Sequence, residues 1–308
     1  PRLFAGISRK DSDNLYVSND AGATWNPVEG ALTTHMPQRM VLSNGHLYVA
    51  YADASGPWNP TSGRLMKYNL EKNEWTNISP SENPIGGISV DPENPDILMA
   101  STINTWRQQF WRPGDAVWGD RIFRSTDGGK TWTDLFEQRK LTLDAAALWD
   151  RSMALHWVGD IQIDPFNPDR IFAISGNGIF MSNNISAVDS GGLATWYFQC
   201  QGLDETVPLG LVSVPNEALI SVIGDYDGFK HTHVSQTPKR HTPSMGTSTG
   251  IDFAQRKPKF VVRSGGDENS QGIFYSEDAG TTWKAFKTKP TPKSCKGSVA
   301  VSALGDVV

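Results

Sequence analysis

Three stretches of this 308-residue chain share one eight-residue pattern: SNDAGATW at 18–25, STDGGKTW at 125–132 and SEDAGTTW at 276–283. Each stretch reads S-x-D-x-G-x-T-W and follows a short apolar run. In such a segment the Asp is placed to accept hydrogen bonds from backbone amides across a tight turn, and the Gly supplies a conformation that a Cβ would forbid. The Thr and Trp then begin the next strand. A pattern repeated in this fixed form predicts a repeat architecture before any single residue is interpreted.

The pattern is the Asp-box of β-propeller proteins. Because the carboxylate has a structural task in each copy, we interpret Asp20, Asp127 and Asp278 as scaffold residues and not as catalysts.

A second repeat supports the same period. Residues 88–100 (ISVDPENPDILMA) align with 161–173 (IQIDPFNPDRIFA), and each copy reads as a strand, a turn and a second strand. Degenerate boxes occur at 67–75 and 181–196. The chain is therefore predicted to be all-β, with about six blades or part-blades of a propeller. The longest unpatterned connection, 135–159, holds the sole candidate for a helical turn, at 141–149.

Composition excludes several partners. The net charge is −5 and no basic run is present, so neither nucleic acid nor an anionic membrane is an expected partner. Six scattered histidines and two cysteines give no metal-ligand motif, and no cofactor or metal is expected. The two cysteines, Cys200 and Cys295, could pair or could remain free.

The tryptophans divide into two groups. Five are box-type, at 25, 75, 132, 196 and 283, and six others crowd into residues 58–157: Trp58, Trp106, Trp111, Trp118, Trp149 and Trp157. Most of the second group lie in connections, where aromatic side chains usually bind a ligand. In a chain this neutral we expect them to stack on sugar rings, with two of the six packing under loops instead.

One aspartate departs from the repeat. Asp164 matches Asp91 and is explained by the turn, but Asp160 matches Gly87, so the fold does not require a carboxylate there. Asp160 follows Trp157 at the mouth of a strand, and an aromatic wall would favour the protonated carboxyl that a general acid needs. The alternative is an exposed aspartate at a strand start.

A further departure is the Gly-bounded loop 224–231, GDYDGFKH. Its Asp225 and Asp227 could contact a polar ligand, or could belong to an ordinary solvated loop. His156 and His231 could orient substrate hydroxyls, although a single histidine is more often a packing or surface residue.

Several of these segments together resemble the glycoside hydrolase family 74 xyloglucanases. The most specific is HWVGDIQIDPFNPDR at 156–170, and others are FRSTDGGKTW at 123–132 and IGDYDGF at 223–229. The resemblance implies a secreted enzyme of two seven-bladed propellers that cuts the β-1,4-glucan backbone of xyloglucan with inversion, using two aspartates. It makes Asp160 the general acid.

The resemblance also bears on domain organisation. The family's general base lies in an R-T-D-I-G-G type segment near the start of the first propeller, and this chain has no such segment. We therefore expect 1–140 to be later blades of the first propeller and 141–308 to be early blades of the second, with the chain an internal portion of a longer protein.

The expected function is endo-acting hydrolysis of xyloglucan or its oligosaccharides, by a monomer. One alternative is the family's exo-acting branch, which is specific for reducing ends and carries an additional loop that blocks the cleft; residues 66–85 show no obvious insertion. A second alternative is a non-catalytic Asp-box propeller that only binds. A sialidase is disfavoured because neither an arginine cluster nor an R-I-P segment is evident.

Overall fold

The computed structural model describes residues 1–112, 115–144, 154–200, 206–236, 238–266, 272–288 and 295–308. The chain divides into two compact units, Pro1–Glu205 and Thr206–Val308. The predicted change of propeller near residue 140 concerns the whole protein and stays a prediction. Within the described residues no helix is long and apolar enough to span a membrane.

The described residues of the first unit form four sheets of three to five strands and one two-stranded hairpin. Sheet 1 consists of β1 (Leu3–Gly6), β2 (Leu15–Ser18) and β3 (Asn26–Pro27). Sheet 2 consists of β4 (Met36–Ser43), β5 (His46–Ala52), β6 (Gly63–Asn69) and β7 (Glu74–Asn77). Sheet 3 consists of β8 (Ile85–Val90), β9 (Leu98–Thr102), β12 (Ile122–Ser125) and β13 (Thr133–Asp134), with the hairpin β10 (Arg107–Arg112) and β11 (Asp115–Gly119) inserted between β9 and β12.

Sheet 4 completes the first unit. It consists of β14 (Leu141–Asp144), β15 (Asp160–Asp164), β16 (Asn167–Ser175), β17 (Gly178–Ser182) and β18 (Ala194–Phe198). The expected helical turn at 141–149 is wrong for 141–144, because alternation of buried Leu141 and Leu143 with Thr142 gives a strand, parallel to β18. Residues 145–149 lie outside the described residues. The one helical segment among the described residues is the 3-10 helix Ile185–Ser190.

The second unit contains two sheets of four antiparallel strands. Sheet 5 consists of β19 (Pro208–Ser213), β20 (Leu219–Ile223), β21 (Phe229–His231) and β22 (Lys239–Arg240). Sheet 6 consists of β23 (Ser248–Ala254), β24 (Lys257–Gly265), β25 (Gly272–Ser276) and β26 (Lys284–Ala285). Strands β19 and β20 pack against β23. The all-β prediction is confirmed.

The Asp-box turns have the predicted chemistry. Asp20 accepts the backbone N–H of Thr24 at 2.9 Å and its hydroxyl at 2.6 Å, and Asp127 accepts the same two groups of Thr131 at 2.9 and 2.6 Å. These hydrogen bonds, first of all those from the threonine side chains, lower the pKa of each carboxyl to about 2. The box glycines take positive φ, +87° at Gly129. The scaffold role of these aspartates follows from the contacts.

The degenerate box at 181–196 is an interrupted copy of the same turn. Asn184 replaces the aspartate, and its side-chain oxygen accepts the hydroxyl of Ser182 at 3.3 Å and the backbone N–H of Thr195 at 2.9 Å. The 3-10 helix is inserted between the two halves of the box.

Neighbouring sheets of the first unit contact through their first strands and through box tryptophans. The indole of Trp132 donates to the carbonyl of Ile78 in the preceding sheet at 2.8 Å, and that of Trp75 donates to Glu29 at 3.0 Å. Strand β8 lies against β4 on one side and β15 on the other. The segment that leads into β15 packs so closely on β8 that position 86 requires glycine. A Cβ on Gly86 would lie 2.2 Å from the carbonyl oxygen of Val158.

Candidate active site

Asp160 is the first residue of β15, and its side chain is 24% exposed. Its Oδ1 accepts the backbone N–H of Ile161 at 2.9 Å and the side-chain amide of Gln162 at 3.0 Å. Its Oδ2 lies 4.0 Å from the Nε of Arg39 on β4. The carboxylate is therefore oriented by its own strand, faces one cation and remains reachable from solvent.

The other aspartate of the strand has the predicted turn role. Oδ1 of Asp164 accepts the backbone N–H of Phe166 at 2.8 Å, just as Asp91 accepts that of Glu93 at 2.9 Å in the repeat. Asp164 also pairs with Arg170. Its pKa is lowered, first by the Phe166 amide. Asp164 thus has the turn contact of its repeat counterpart Asp91, as the alignment of the two repeats predicts, and Asp160 has no such turn contact.

Three aromatic rings meet immediately before Asp160. Trp106 stacks on His156, with ring centroids 5.1 Å apart and an angle of 28° between planes. Trp157 meets the edges of both, at 6.2 Å from Trp106 and 5.1 Å from His156. The structure thus brings together three residues that the sequence predicted for the site, and Trp106 lies about fifty positions before the other two in the chain.

The backbone around these rings is constrained. Trp157 has φ +51° and Trp106 has φ +46°, values that are uncommon for a bulky residue and that tend to cluster at functional sites. The ring of His156 lies over Gly176, where a Cβ would stand 2.9 Å from Nε2. The indole N–H of Trp157 is buried and has no hydrogen-bond acceptor within the described chain.

Asn104 links two of the exposed tryptophans, a role that the sequence did not reveal. Its side-chain oxygen accepts the indole N–H of Trp106 at 3.0 Å, and its amide donates to the carbonyls of Trp58 and Pro60 at 3.1 Å each. Asn104 has φ +61°, which asparagine tolerates well. The loop that carries Trp58 is closed by Asp53, which accepts the backbone N–H of Thr61 at 2.7 Å.

Asp120 is a buried carboxylate that the sequence analysis also missed. It accepts the backbone N–H of Thr105 at 2.8 Å, the hydroxyl of Thr105 at 2.7 Å and the backbone N–H of Val158 at 3.0 Å. Burial raises the pKa of this carboxyl against the effect of these hydrogen bonds. Asp120 therefore joins the turn before Trp106 to the segment that leads into Asp160. The one feature of the sequence that could have indicated this role is the aspartate in the run V-W-G-D-R at 117–121.

The remaining tryptophans are placed differently from one another. Trp118, on the inserted hairpin, is 60% exposed, and Trp58 and Trp106 are 65% and 44% exposed. Trp111 is 3% exposed and packs edge-on to Phe136, with its indole N–H donating to Gln109 at 3.2 Å. No face of the Trp111 ring is open to a sugar, since it belongs to the hydrophobic core. Trp149 lies outside the described residues.

The two loop aspartates of the second unit have separate roles. Asp227 is fully buried and accepts the backbone N–H of Met245 at 2.6 Å, and it also pairs with Arg263 at 3.2 Å and Arg240 at 3.4 Å. It therefore serves as a structural anion, and its oxygens are not open to ligand. Asp225 is exposed, with φ +63°, and its backbone N–H donates to Thr247 at 2.9 Å.

His231 and the cysteines complete the predicted set. The Nε2 of His231 lies 2.9 Å from the Ser221 hydroxyl, and burial lowers the pKa of the imidazole. Cys200 and Cys295 are both buried and form no disulfide with each other. Within the described residues no group of three or more His, Cys, Asp or Glu side chains is arranged to hold a metal ion.

Comparison with known proteins places these features in one family. The model of the BNR/Asp-box repeat matches residues 123–134. A xyloglucanase from Paenibacillus sp. is 33% identical over 339 residues, and Xgh74A, a xyloglucanase of Acetivibrio thermocellus, is 35% identical over 334; each alignment covers 98% of this chain. The crystal structure of the GH74 enzyme from Niastella koreensis superposes with a TM-score of 0.84 at 38% identity, over 99% of this chain. Over nearly its whole length the chain is therefore similar to a portion of glycoside hydrolase family 74 enzymes.

These similarities confirm the resemblance seen in the sequence and the β-propeller class. The chain spans 32% and 38% of the length of those two relatives, and 43% of the Niastella structure. An oligoxyloglucan-reducing end-specific xyloglucanase of Emericella nidulans is also 29% identical over 377 residues. Names from both modes of action thus occur among its relatives.

Proposed function

We propose that the full protein is an endo-acting xyloglucanase and that Asp160 is its general acid. The observation that carries the proposal is the position of this carboxyl: it is partly exposed, lies at the start of β15 and follows Trp157, a member of the ring cluster, by three positions in the chain. The similarity to the two xyloglucanases named above supports the substrate class.

The chemistry follows from the requirements of inversion. One carboxylic acid protonates the leaving glycosidic oxygen while a second carboxylate, roughly 6.5–9.5 Å away, activates water on the opposite face of the sugar. Asp160 would donate that proton, and its contacts with Ile161 and Gln162 would hold the carboxyl in one orientation. The general base is assigned to a part of the enzyme outside this chain.

Aromatic rings would hold the sugar chain in place. Trp58, Trp106 and Trp118 present exposed rings in the first unit, and apolar ring faces are well suited to stacking on pyranose rings. The exposed Asp225 of the second unit stays a separate prediction, as a polar contact to a ligand. Trp111 and Asp227 are left out of this binding role because both are buried.

Endo action is favoured over the reducing-end-specific mode by the loop lengths near residue 70. Strands β6 and β7 are joined by residues 70–73, and β7 and β8 by residues 78–84. Neither connection has room for a loop that would block a cleft. Because xyloglucan lies outside cells, we also propose that the protein is secreted.

The test uses the full-length protein and tamarind-type xyloglucan. Asp160→Asn is expected to lower kcat by about a thousandfold or more with the thermal unfolding midpoint unchanged, because an amide cannot donate the proton of a general acid. Asp164→Asn, the same substitution in the same strand, is the matched control and should keep activity while losing some stability. Comparable activity of Asp160→Asn and wild type would remove Asp160 from the mechanism.

Product length separates the two modes of action. A rapid fall in viscosity with few new reducing ends indicates endo cleavage. Release of small oligosaccharides with slowly falling viscosity indicates the reducing-end-specific mode. A full-length wild type that binds xyloglucan without cleaving it would favour the non-catalytic alternative.

A further inference from the structure

The second unit contains a cavity of about 350 Å³ between the outer strands of sheet 5 and the Asp-box turn of sheet 6. Three cationic side chains line it: Lys230 on β21, and Lys239 and Arg240 on β22. Thr281 and Trp283 of the Asp-box form the opposite wall. This concentration of positive charge stands in a chain whose net charge is −5.

The first observation is a like-charged pair within the sheet. Lys230 and Lys239 are register partners across the β21–β22 ladder, so their side chains stand directly opposite each other. Like charges in this arrangement destabilise a sheet. The Nζ of Lys230 donates to the hydroxyl of Thr281 at 2.6 Å, which fixes this ammonium at the cavity wall.

The second observation concerns the charges that could compensate the pair. No described residue that lines the cavity is an aspartate or a glutamate. The nearby Asp278 uses its carboxylate within its own turn, where it accepts the N–H and hydroxyl of Thr282 at 2.8 and 2.6 Å. The fully buried Asp227 is shared by Arg240 and Arg263. Among the described residues of the cavity lining, no carboxylate therefore compensates the two lysines.

The third observation is the missing bond between sheets. In the first unit the box indoles of Trp75 and Trp132 donate to a carbonyl of the preceding sheet. Trp283, like Trp196, finds no acceptor in the described chain. Trp283 packs instead edge-on to His241, which follows β22, with ring centroids 5.2 Å apart, and it forms part of the cavity wall.

We propose that this cavity binds an oxyanion, held by Lys230 and Lys239. A carboxylate, phosphate or sulfate would convert the like-charged lysine pair into two charge-assisted contacts. Two sources share this chemistry: the carboxylate of an acidic sugar and free inorganic phosphate. Like charges opposite each other in a ladder, as at Lys230 and Lys239, break a local rule of sheet pairing, and such exceptions are expected at functional positions.

The test is calorimetric titration of the full-length protein with inorganic phosphate and, separately, with glucuronate, at low ionic strength. Saturable binding of at least one anion is expected, and Lys239→Gln should weaken it by about tenfold. Tighter binding of glucuronate than of phosphate assigns the acidic sugar, and the reverse order assigns the inorganic ion. Lys257→Gln, a lysine of the same unit outside the cavity, should bind as wild type does.

Thermal unfolding without and with the anion gives a second readout. Because the lysine pair is repulsive, Lys239→Gln should raise the unfolding midpoint of the anion-free protein and abolish the stabilisation that phosphate or glucuronate confers on wild type. Absence of saturable binding of both anions to wild type would overturn the proposal. Equal affinity of wild type and Lys239→Gln would also overturn it.

Discussion

The carboxylate of Asp120 accepts the backbone N–H of Val158 at 3.0 Å and, through its other oxygen, the N–H of Thr105 at 2.8 Å. One buried side chain thereby fixes both the turn that leads to Trp106 and the segment that leads to Asp160. Displacement of a catalytic group by about 1 Å costs rate on the order of a hundredfold, so the contact has consequences for chemistry as well as for folding.

Asp120→Asn is expected to lower kcat of the full-length enzyme on xyloglucan by about tenfold or more, with a smaller change in KM. An amide has one acceptor oxygen where the carboxylate has two, and its NH₂ would face the N–H of Val158. The unpaired buried donors should cost about 1–3 kcal/mol in the free energy of unfolding.

The control is Asp134→Asn, which breaks the pairing with Arg121 at 2.8 Å in the same sheet. It should lower stability while leaving kcat nearly as in wild type. Equal losses of kcat in the two variants would mean that Asp120 acts through general stability and not through the position of Asp160.

Asn104→Ala is expected to raise KM for xyloglucan about five- to tenfold with little change in kcat, since it releases both Trp58 and the indole of Trp106 from one polar centre. Asn104→Asp keeps an acceptor for the Trp106 indole but loses the donor to the Trp58 carbonyl. Its KM should therefore fall between the KM of wild type and that of Asn104→Ala. Steady-state kinetics and tryptophan emission would be compared.

Asn216→Ala is the matched control, because Asn216 has a similar φ of +59° in a turn of the second unit. Its substitution should leave the KM for xyloglucan as in wild type. An Asn104→Ala enzyme with wild-type KM and wild-type emission would contradict the proposed linkage of the two rings.

Gly129→Ala should destabilise the first unit more than Gly45→Ala does. Both glycines have positive φ, +87° and +73°, so both substitutions carry a backbone cost of about 1–2 kcal/mol. A Cβ on Gly45 meets nothing within 4 Å, whereas on Gly129 it would lie 2.9 Å from Cδ1 of Ile78 in the preceding sheet. That contact should add about 1–3 kcal/mol. Denaturant titration measures the free energy of unfolding of both variants. Equal losses of stability in the two would refute the predicted steric contribution of Ile78.

His241 is expected to make stability depend on pH. Burial, then the charge of Arg263, lowers the pKa of this imidazole to about 3, and its Nε2 lies 3.0 Å from the carbonyl of Ser221. Since the unfolded chain binds the proton near pH 6.5 and the folded chain does not, stability is full above about pH 6.5 and is lost as pH falls toward 3.

Between pH 7 and pH 5 the loss should be about 2 kcal/mol, within the slope of about 1.4 kcal/mol per pH unit that one proton allows. His241→Gln keeps a donor for Ser221 and should flatten this part of the profile, while His233→Gln should not. Denaturant titrations of the three proteins at both pH values test it, and parallel profiles for wild type and His241→Gln would contradict the assignment.

The turns and the all-β class follow from local sequence patterns. The Asp-box bonds join residues within four positions of each other, as from Asp20 to Thr24, and they form wherever the S-x-D-x-G-x-T pattern occurs. The same holds for the turns after Asp91 and Asp164. Comparison of repeats could therefore separate Asp164 from Asp160 without a structure, because local hydrogen bonds depend on local sequence.

Tertiary structure alone decided which residues share the site. Trp106 and His156 stack because Asp120 ties their segments together, and Arg39 reaches Asp160 because β4 and β15 both lie against β8. Trp106 and Trp111 look alike in sequence, yet one ring is exposed and the other lies in the core. Side-chain direction in the inserted hairpin depends on register and packing, which distant strands set, and no local pattern encodes it.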